Sequence, residues 1–369
     1  MSLDAPAPVA TCGLVRVVGT GLLGASVGLA LTTRGVDVVL YDPSRTALAL
    51  ARDVGAGRLP AADDAPVTLV VVAAPPDVTA DVVATELAAY PRAIVTDLAS
   101  VKGHVLDALR AAGADLTRYV GSHPMAGREK SGPAGALPNL VVGRPWVLAD
   151  SGSSSRAALL AVRDLVADLG AIPVTMDPRA HDGAVAVVSH VPQVVSSLLA
   201  ARLRDAPAAA LDLSGQGLRD VTRLAAGDAA LWTSILAANA GAVHGILVDL
   251  RTDLDRVIEA LARAEAGEDR ALGVLARTIV AGNAGVARIP GKHGGTPTVY
   301  AVVTVLVPDV PGELARLLTD VGAAGVNLED LQLEHSSGRP VGMAAISVLP
   351  GRAEHLEREL TARGWRLAS

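Results

Sequence analysis

Seven short runs rich in β-branched residues recur between residues 14 and 177, and longer Ala- and Leu-rich stretches separate them. This alternation is typical of βαβ units, so it predicts an α/β domain built on a parallel, doubly wound sheet. The runs at 36–40 and 67–73 are almost entirely apolar, as strands covered by helices on both faces usually are. The predicted strands are 14–18, 37–41, 67–73, 93–96, 119–121, 146–149 and 172–175.

A glycine-rich turn, GTGLLG at 19–24, follows the first predicted strand and precedes a predicted helix. Glycines there permit a tight turn and let backbone N–H groups approach a pyrophosphate at the helix N-terminus. Asp42 follows the second strand, where a carboxylate binds the ribose 2′-hydroxyl and repels a 2′-phosphate. The pattern predicts a Rossmann-type domain that binds NAD, with Arg45 leaving NADP as an alternative. The predicted cofactor contacts on these loops are Gly19, Gly21, Leu22, Leu23, Gly24, Asp42, Ala74 and Pro75.

The strand pattern stops after residue 177, and two helical stretches follow. Apolar residues recur with a helical period over 181–203, and a second stretch, 229–264, places its apolar residues on a single stripe. A helix of that length is too long to bury its apolar face within so small a region. We therefore expect it to pack against the same region of a second subunit, which gives a homodimer.

A Gly- and Pro-rich segment at 281–297 is predicted to be a linker. Beyond it, strand-like runs and two helical stretches predict a compact βαββαβ module with an α+β fold. The chain is thus divided into three predicted domains. They are a Rossmann-type domain at 13–177, an all-α substrate and dimerisation domain at 178–285, and the α+β module at 297–369.

Composition argues against several classes of protein. Half of the 369 residues are apolar and 19% are charged, as in folded globular chains, and the net charge of −6 gives no support for nucleic-acid binding. Cys12 is the single cysteine, so an intramolecular disulfide or a cysteine-built metal site is impossible. The N-terminus lacks the pattern of a signal peptide, and no run of 18 or more apolar residues indicates a membrane span. We expect a cytoplasmic protein without a metal, nucleic-acid or membrane partner.

Two further strand ends carry polar residues suited to chemistry, TDLASVK at 96–102 and GSHPMAGREKSG at 121–132. In a parallel sheet, Ser100 and His123 would emerge at the edge that carries the pyrophosphate loop. A hydroxyl and an imidazole would then lie beside the nicotinamide. A histidine with a pKa of about 6.5 is suited to accept a proton from a hydroxyl group that is being oxidised.

Four motifs in this order resemble those of prephenate and arogenate dehydrogenases, enzymes of tyrosine biosynthesis. They are DLASVK at 97–102, HPMAGREKSG at 123–132, SHVPQ at 189–193, and GLRDVTRLA at 217–225 followed by LW at 231–232. The resemblance covers about residues 14 to 290. It implies an NAD-dependent oxidoreductase that converts prephenate to 4-hydroxyphenylpyruvate. The alternative substrate is arogenate, which gives tyrosine directly.

The resemblance also implies a role for each matching position. His123 would hydrogen-bond the ring hydroxyl of the substrate, with Ser100 orienting it and contacting the nicotinamide end of the cofactor. Arg223 would bind the ring carboxylate. Four further residues would line or gate the substrate pocket, namely Arg219, His190, Trp232 and Glu129.

The charge of the substrate agrees with these assignments. Prephenate is a dianion, and Arg219 and Arg223, four residues apart, would project from one face of a helical turn. An arginine fork binds a carboxylate through two hydrogen bonds. Arg128 stands where relatives commonly carry a small hydroxyl residue, so the choice between prephenate and arogenate stays open. A non-catalytic sensor of NAD and amino acids is a further alternative, although a sensor would have no reason to retain the whole catalytic set.

The C-terminal module resembles an ACT domain, a βαββαβ unit that often binds amino acids. The resemblance rests on VPDVPGEL at 307–314 and GVNLED at 325–330. A turn at Pro311 and Gly312 would expose N–H groups at a helix start, where a carboxylate can bind, and Asn327 offers an amide to an effector. Tyrosine, the end product of the pathway, is the expected effector. The alternative is a module that only dimerises.

Overall fold

The computed structural model describes residues 9–127, 132–268, 270–290, 299–335 and 341–368. The chain forms two compact units. The first unit runs to Leu198 and includes Leu224–Leu250, and the second comprises Leu199–Arg223 together with the chain from Arg251 onward. The division into three domains at 13–177, 178–285 and 297–369 follows the sequence pattern and stays a prediction.

A seven-stranded sheet is the centre of the first unit, with the strand order β2-β1-β3-β4-β5-β6-β7. Each of its strands coincides with a predicted run, so the Rossmann-type α/β fold is confirmed. The strands are β1 (Leu14–Val18), β2 (Val38–Tyr41), β3 (Val67–Val72), β4 (Ile94–Asp97), β5 (Tyr119–Pro124), β6 (Pro145–Ala149) and β7 (Ile172–Met176).

The prediction of a fully parallel sheet was wrong for its last two strands. The first five strands are parallel, whereas β6 pairs antiparallel with β5 and β7 runs parallel to β6. A parallel neighbour needs a crossover connection, usually a helix. Among its described residues, the segment between β5 and β6 contains only a short 3₁₀ turn, Pro133–Gly135, so the chain returns in the opposite direction.

Helices cover both faces of this sheet, as the apolar strands predict. Along β3, Leu69 and Val71 enter one buried cluster, and Val70 and Val72 enter a second cluster on the opposite face. Successive side chains of a strand point to opposite faces, so alternate residues bury against different helices. The helices of this part are α1 (Leu22–Thr33), α2 (Arg45–Asp53), α3 (Pro76–Ala89), α4 (Gly103–Ala111) and α5 (Arg156–Asp168).

The chain after β7 is helical, beginning with α6 (Pro178–Val185), a π-helical turn at Ala186–His190, and α7 (Val191–Arg202). This stretch is long and apolar enough to cross a membrane by length and composition alone. It also carries buried polar side chains, Asp182 and His190 among them, that hydrogen-bond within the first unit. One third of its most apolar 18-residue window is buried, whereas Val187, Val188 and Leu198 are more than half exposed.

The single helix predicted over 229–264 was wrong, because two helices occupy it. α10 (Ala229–Ala238) ends at Asn239, and α11 (Ala240–Glu265) starts in a direction that differs by 93°. The buried Asn239 side chain donates to the backbone oxygen of Asp182 at 2.8 Å and contacts Nδ1 of His190 at 3.0 Å. Asparagine favours such side-chain bonds over a helix interior, and here they accompany the break.

The second unit contains short helices and the C-terminal module. The module has the predicted βαββαβ order and an antiparallel sheet in the order β11-β8-β10-β9. The predicted linker at 281–297 is helical up to Val286, and residues 291–298 lie outside the described part of the chain. The elements are α8 (Ala208–Leu211), α9 (Gln216–Thr222), α12 (Arg270–Val286), β8 (Ala301–Pro308), α13 (Glu313–Ala323), β9 (Asp330–His335), β10 (Val341–Val348), α14 (Ala353–Ala362) and β11 (Arg366–Leu367).

Candidate active site

The turn between β1 and α1 requires glycine for close packing. Gly19 has a φ of +93°, and a Cβ there would lie 2.4 Å from the carbonyl oxygen of Ala73. A Cβ on Gly24 would lie 1.9 Å from the carbonyl oxygen of Gly19. Gly21 differs, because a Cβ there would have no atom within 4 Å and would project into open space at the N-terminus of α1. A helix N-terminus attracts phosphate through its free N–H groups, so this loop fits the pyrophosphate of a dinucleotide.

Asp42 is fixed at the end of β2, beside the glycine-rich turn. Its Oδ2 accepts hydrogen bonds from the backbone N and the hydroxyl of Thr20 at 2.7 and 2.9 Å, and its Oδ1 accepts one from the backbone N of Ser44 at 2.8 Å. The carboxylate therefore has a defined orientation within the cleft described next. This position suits the hydroxyl groups of a ribose, and its negative charge disfavours a 2′-phosphate.

A cleft of about 1340 Å³ extends along the carboxyl edge of the first strands, where ligands bind in open α/β sheets. The glycine-rich turn and Asp42 line one part of it, and the loop after β3 follows. Ser100 and His123 line the next part, and residues of the helical region complete the wall. Predicted site residues that line the cleft are Gly19, Gly21, Leu22, Leu23, Asp42, Ala74, Pro75, Ser100, His123, His190 and Trp232.

A fully buried ion pair joins the loops that carry Ser100 and His123. Nζ of Lys102 pairs with Asp97 and donates to the carbonyl oxygen of Ser122 at 2.7 Å. The hydroxyl of Tyr119 donates to the other oxygen of Asp97 at 2.6 Å. Burial lowers the pKa of Lys102, although the neighbouring Asp97 acts in the opposite direction. Burial and Asp97 both raise the pKa of Tyr119, which lies well above its usual value. A buried charge pair with full hydrogen bonding fixes the geometry of both strand ends.

His123 contacts a second histidine behind the cleft wall. Its Nδ1 lies 2.9 Å from Nε2 of His181, which is fully buried. Nδ1 of His181 lies 2.9 Å from Oδ1 of Asp182. The Asp182 carboxylate also accepts hydrogen bonds from the backbone N of Lys102 at 2.7 Å and of Gly103 at 2.8 Å. The three side chains form one hydrogen-bonded row from the start of α4 to the cleft.

His190 reaches the cleft from the π-helical turn. Its Nδ1 contacts the side-chain amide of Asn239 at 3.0 Å, and its ring meets that of Trp232 edge to face at 6.1 Å between centroids. π-helical turns are often found at functional sites, since the extra residue re-aims the side chains around it. Burial lowers the pKa of His190 to about 4, so the ring is neutral near pH 7.

Several groups disfavour a positive charge on His123. Burial is the largest influence, and His181, Lys102 and His190 act in the same direction, so the pKa of His123 lies well below its usual value. Burial raises the pKa of Asp182, but the hydrogen bonds from His181 and from two backbone N–H groups outweigh it, and the net shift is downward. Near neutral pH the cleft therefore presents a neutral imidazole at His123 and has an ionised carboxylate behind it.

The other predicted site residues lie elsewhere. Gly24 is in the first turn of α1 and packs on the glycine-rich turn. Arg219 in α9 and Arg223 at its C-terminal end belong to the second unit, as do the C-terminal positions Pro311, Gly312 and Asn327. Glu129 lies outside the described residues.

Sequence reasoning missed His181, Asp182 and Asn239. The available signal was the adjacent His–Asp pair at the start of a predicted helix. Periodicity assigned that stretch to packing, because the partners are distant along the chain. His123 and His181 are 58 residues apart, and Asn239 and His190 are 49 apart.

Comparison with known proteins identifies a family that matches most of the chain. A family model described as "Prephenate dehydrogenase, nucleotide-binding domain" matches residues 27–174, and one described as "Prephenate dehydrogenase, dimerization domain" matches residues 177–273. The chain is 42% identical over 357 residues to a Streptomyces niveus protein named probable prephenate dehydrogenase NovF. That match spans 95% of this chain and 98% of the relative.

Two solved structures share the fold. A prephenate dehydrogenase from A. aeolicus, crystallised with hydroxyphenyl propionate and NAD+, is 26% identical with a TM-score of 0.63, and the match covers 76% of this chain and 98% of that one. A Synechocystis arogenate dehydrogenase is 27% identical with a TM-score of 0.57, and the match covers 70% and 96% of the two chains.

Proposed function

The chain belongs to the prephenate dehydrogenase family of NAD-dependent oxidoreductases, and we propose that it oxidatively decarboxylates prephenate to 4-hydroxyphenylpyruvate in tyrosine biosynthesis. The observation that carries the proposal is the cleft, which brings the glycine-rich turn, Asp42, Ser100 and His123 together along one sheet edge. A dinucleotide site and a proton acceptor beside one another are what oxidation of a secondary alcohol requires. We propose that the enzyme acts in the cytoplasm.

NAD, when bound, supplies the acceptor for the hydride that leaves the hydroxyl-bearing ring carbon. The glycine-rich turn and the N-terminus of α1 would bind its pyrophosphate, and Asp42 would bind the adenosine ribose. Ala74 and Pro75 would line the cofactor's path between these groups and the catalytic end. Leu22, Leu23 and Gly24 would present the first-turn backbone of α1 to the phosphates.

His123 would accept the proton of the ring hydroxyl as the hydride departs. Its lowered pKa supports this role, because a neutral imidazole has a nitrogen that can accept a hydrogen bond. Ser100 would orient the hydroxyl and contact the nicotinamide end. The bond between the ring and its carboxylate then breaks, CO2 leaves, and the electron pair restores aromaticity. The proton returns to the phenolate oxygen, which balances the reaction.

The substrate's two carboxylates call for hydrogen-bond donors and cations. We propose that Arg223 binds the ring carboxylate of the substrate. Arg219, His190 and Trp232 would line the pocket around the substrate's side chain. His190 supports this assignment, because it is neutral and lines the cleft beside Trp232. Glu129 would gate the mouth of the pocket.

We propose a homodimer that forms through the helical region. The dimerization-domain match over residues 177–273 supports this assembly. So does the surface of α11 and α12 within the second unit, where Leu254, Ile258 and Ile279 are more than half exposed. Exposed apolar faces of this kind usually mark a contact with another chain.

We further propose that the C-terminal module is an ACT-like domain that binds tyrosine through the Pro311–Gly312 turn and Asn327. Gly312 supports this, because its φ of +96° sets the turn at which α13 begins. Truncation near residue 290 should leave dehydrogenase activity and abolish tyrosine inhibition. Inhibition that survives truncation and competes with prephenate would place tyrosine in the active site instead.

The test of the main proposal is NADH or NADPH formation with prephenate and with arogenate, each with NAD and with NADP. We expect the highest kcat/KM with prephenate and NAD, and 4-hydroxyphenylpyruvate as the product. His123→Asn should lower kcat by about 10² or more, the usual effect of losing a positioned acid–base group. A higher kcat/KM for arogenate than for prephenate would identify arogenate as the substrate. No turnover of either compound would refute the proposal.

A further inference from the structure

Asp182 is an anchored carboxylate at the far end of the row behind His123. Its two oxygens accept hydrogen bonds from the backbone N–H groups of Lys102 and Gly103, at 2.7 and 2.8 Å. These groups lie at the N-terminus of α4, where the helix dipole also favours a negative charge. The carboxylate is thereby held ionised and in one orientation.

The carboxylate determines which nitrogen of His181 carries a proton. Asp182 can only accept in its ionised form, so Nδ1 of His181, 2.9 Å away, is the donor. In a neutral ring Nε2 is then an acceptor. Nδ1 of His123 lies 2.9 Å from this Nε2 and must be the donor of that bond.

The geometry of the two rings supports a direct hydrogen bond. Their centroids are 5.2 Å apart and their planes are twisted by 81°, while the two nitrogens approach to 2.9 Å. Both nitrogens therefore lie close to the line between the ring centres, as a linear N–H···N bond requires. With its proton on Nδ1, His123 has an unprotonated Nε2.

We propose that His181 and Asp182 are positioning residues that keep His123 in its Nδ1–H tautomer, so that Nε2 accepts the hydroxyl proton of the substrate. The role rests on the proposed function, because it concerns the proton that leaves during oxidation. The Ser–His–Asp triad shows the same principle, in which a carboxylate selects the histidine tautomer and its loss lowers kcat by about 10⁴. Here an additional imidazole lies between the carboxylate and the catalytic ring.

Within the described residues, the row of His181 and Asp182 is the hydrogen-bonded connection from a carboxylate to His123. The titratable groups around His123 are His181 and Asp182 of α6, His190 of the π-helical turn, Asp97 at the end of β4, and Lys102 beyond that strand. Asp97 is paired with Lys102 and hydrogen-bonded to Tyr119. Asp182 thus provides the carboxylate that is connected to His123 through His181, while burial and Lys102 lower the pKa of His123.

Two substitutions interrupt the row with little change of shape. His181→Asn keeps an amide near the Asp182 carboxylate but removes Nε2, and Asp182→Asn removes the charge. We expect each to lower kcat by about 10²–10³ with KM for prephenate and for NAD changed less than threefold, because the loss is confined to the transition state. Asp177→Asn is the matched control. Asp177 also caps a helix through two backbone N–H groups, those of Arg179 and Ala180, and its loss should leave kcat within twofold.

A second measurement tests the tautomer without any activity assay. The chain has eight histidines, so ¹⁵N shifts of labelled histidine in the full-length protein can be assigned with single variants. We expect His123 of the unmodified protein to carry its proton on Nδ1 at pH 7.5, and to change to Nε2–H in His181→Asn. His104→Asn, on the exposed face of α4, controls for general effects of replacing a histidine.

The outcomes separate this proposal from the proposed function. A proton on Nε2 of His123 in the unmodified protein, or a doubly protonated His181, would overturn the tautomer assignment whatever the enzyme oxidises. Variants of His181 and Asp182 that retain kcat within threefold would overturn it as well. If the unmodified protein shows the Nδ1–H tautomer but does not oxidise prephenate, the roles of His181 and Asp182 in selecting the tautomer stand. The proposal that prephenate is the substrate is then wrong.

Discussion

The side-chain amide of Asn239 donates to the backbone oxygen of Asp182 at 2.8 Å and reaches Nδ1 of His190 at 3.0 Å. A carbonyl oxygen can only accept, so the amide nitrogen is the atom that faces both partners. Nδ1 of His190 is therefore an acceptor, and the proton of the neutral ring is on Nε2. The residue that ends α10 thereby makes His190 a hydrogen-bond donor at its other nitrogen.

Asn239→Asp should reverse this relationship. A carboxylate in place of the amide favours a protonated Nδ1, so the pKa of His190 should rise clearly above about 4. An NMR titration of the His190 ring measures this shift. Asn139→Asp, at an exposed position, adds the same charge and should leave the His190 titration unchanged. An unaltered pKa of His190 in Asn239→Asp would contradict the assignment of its tautomer.

His190 should also make the protein less stable in acid. Its pKa is about 4 in the folded chain and 6.5 for an ordinary histidine, so the unfolded state binds more protons between these values. Stability therefore falls as the pH drops below 6.5, by roughly 2 kcal/mol at pH 5 from this group. The free energy of unfolding is measured with urea at pH 7.5 and at pH 5. Between these values the unmodified protein should lose about 2 kcal/mol more than His190→Gln. Equal losses in both proteins would exclude His190 as the source, and exposed His104→Gln is the control.

Asp42 should determine the choice between NAD and NADP. Asp42→Asn removes the charge that repels a 2′-phosphate and retains one oxygen as an acceptor for Thr20. We expect the ratio of kcat/KM for NAD over NADP to fall by about tenfold, mainly through tighter NADP binding. The assignment of this position would be wrong if the unmodified enzyme already preferred NADP.

Arg223 should matter for the substrate and not for the cofactor. Arg223→Ala is expected to weaken prephenate binding by about 1.5–3 kcal/mol, the contribution of a charge-assisted hydrogen bond, or roughly 10- to 150-fold. NAD affinity should change little, because this arginine lies outside the dinucleotide motif. Equal losses for substrate and cofactor in binding titrations would indicate a general structural defect.

The strands, and the sheet edge that carries Ser100 and His123, could be predicted from the sequence because both depend on local sequence patterns. β3 is an almost entirely apolar run between turns. Ser100 lies three residues after β4 and His123 lies near the carboxyl end of β5, so the parallel arrangement of these strands brings them together. The reversed direction of β6 and β7 depends on a connection without a crossover helix, which no periodicity reveals. The break at Asn239 depends on two partners about 50 residues upstream, and the row from Asp182 to His123 depends on how α6 packs against the N-terminus of α4. Contacts of that kind are determined by tertiary packing.

In the proposed reaction, hydride leaves the hydroxyl-bearing carbon of prephenate while His123 takes the hydroxyl proton. This step is tested most directly with prephenate deuterated at that carbon, by mass analysis of the reduced cofactor and measurement of released CO2. We predict one deuterium in each NADH formed and one CO2 for each NADH, with the rate lowered about 10²-fold or more in His123→Asn and the deuterium transfer unchanged. NADH without deuterium, or CO2 release without cofactor reduction, would contradict the account.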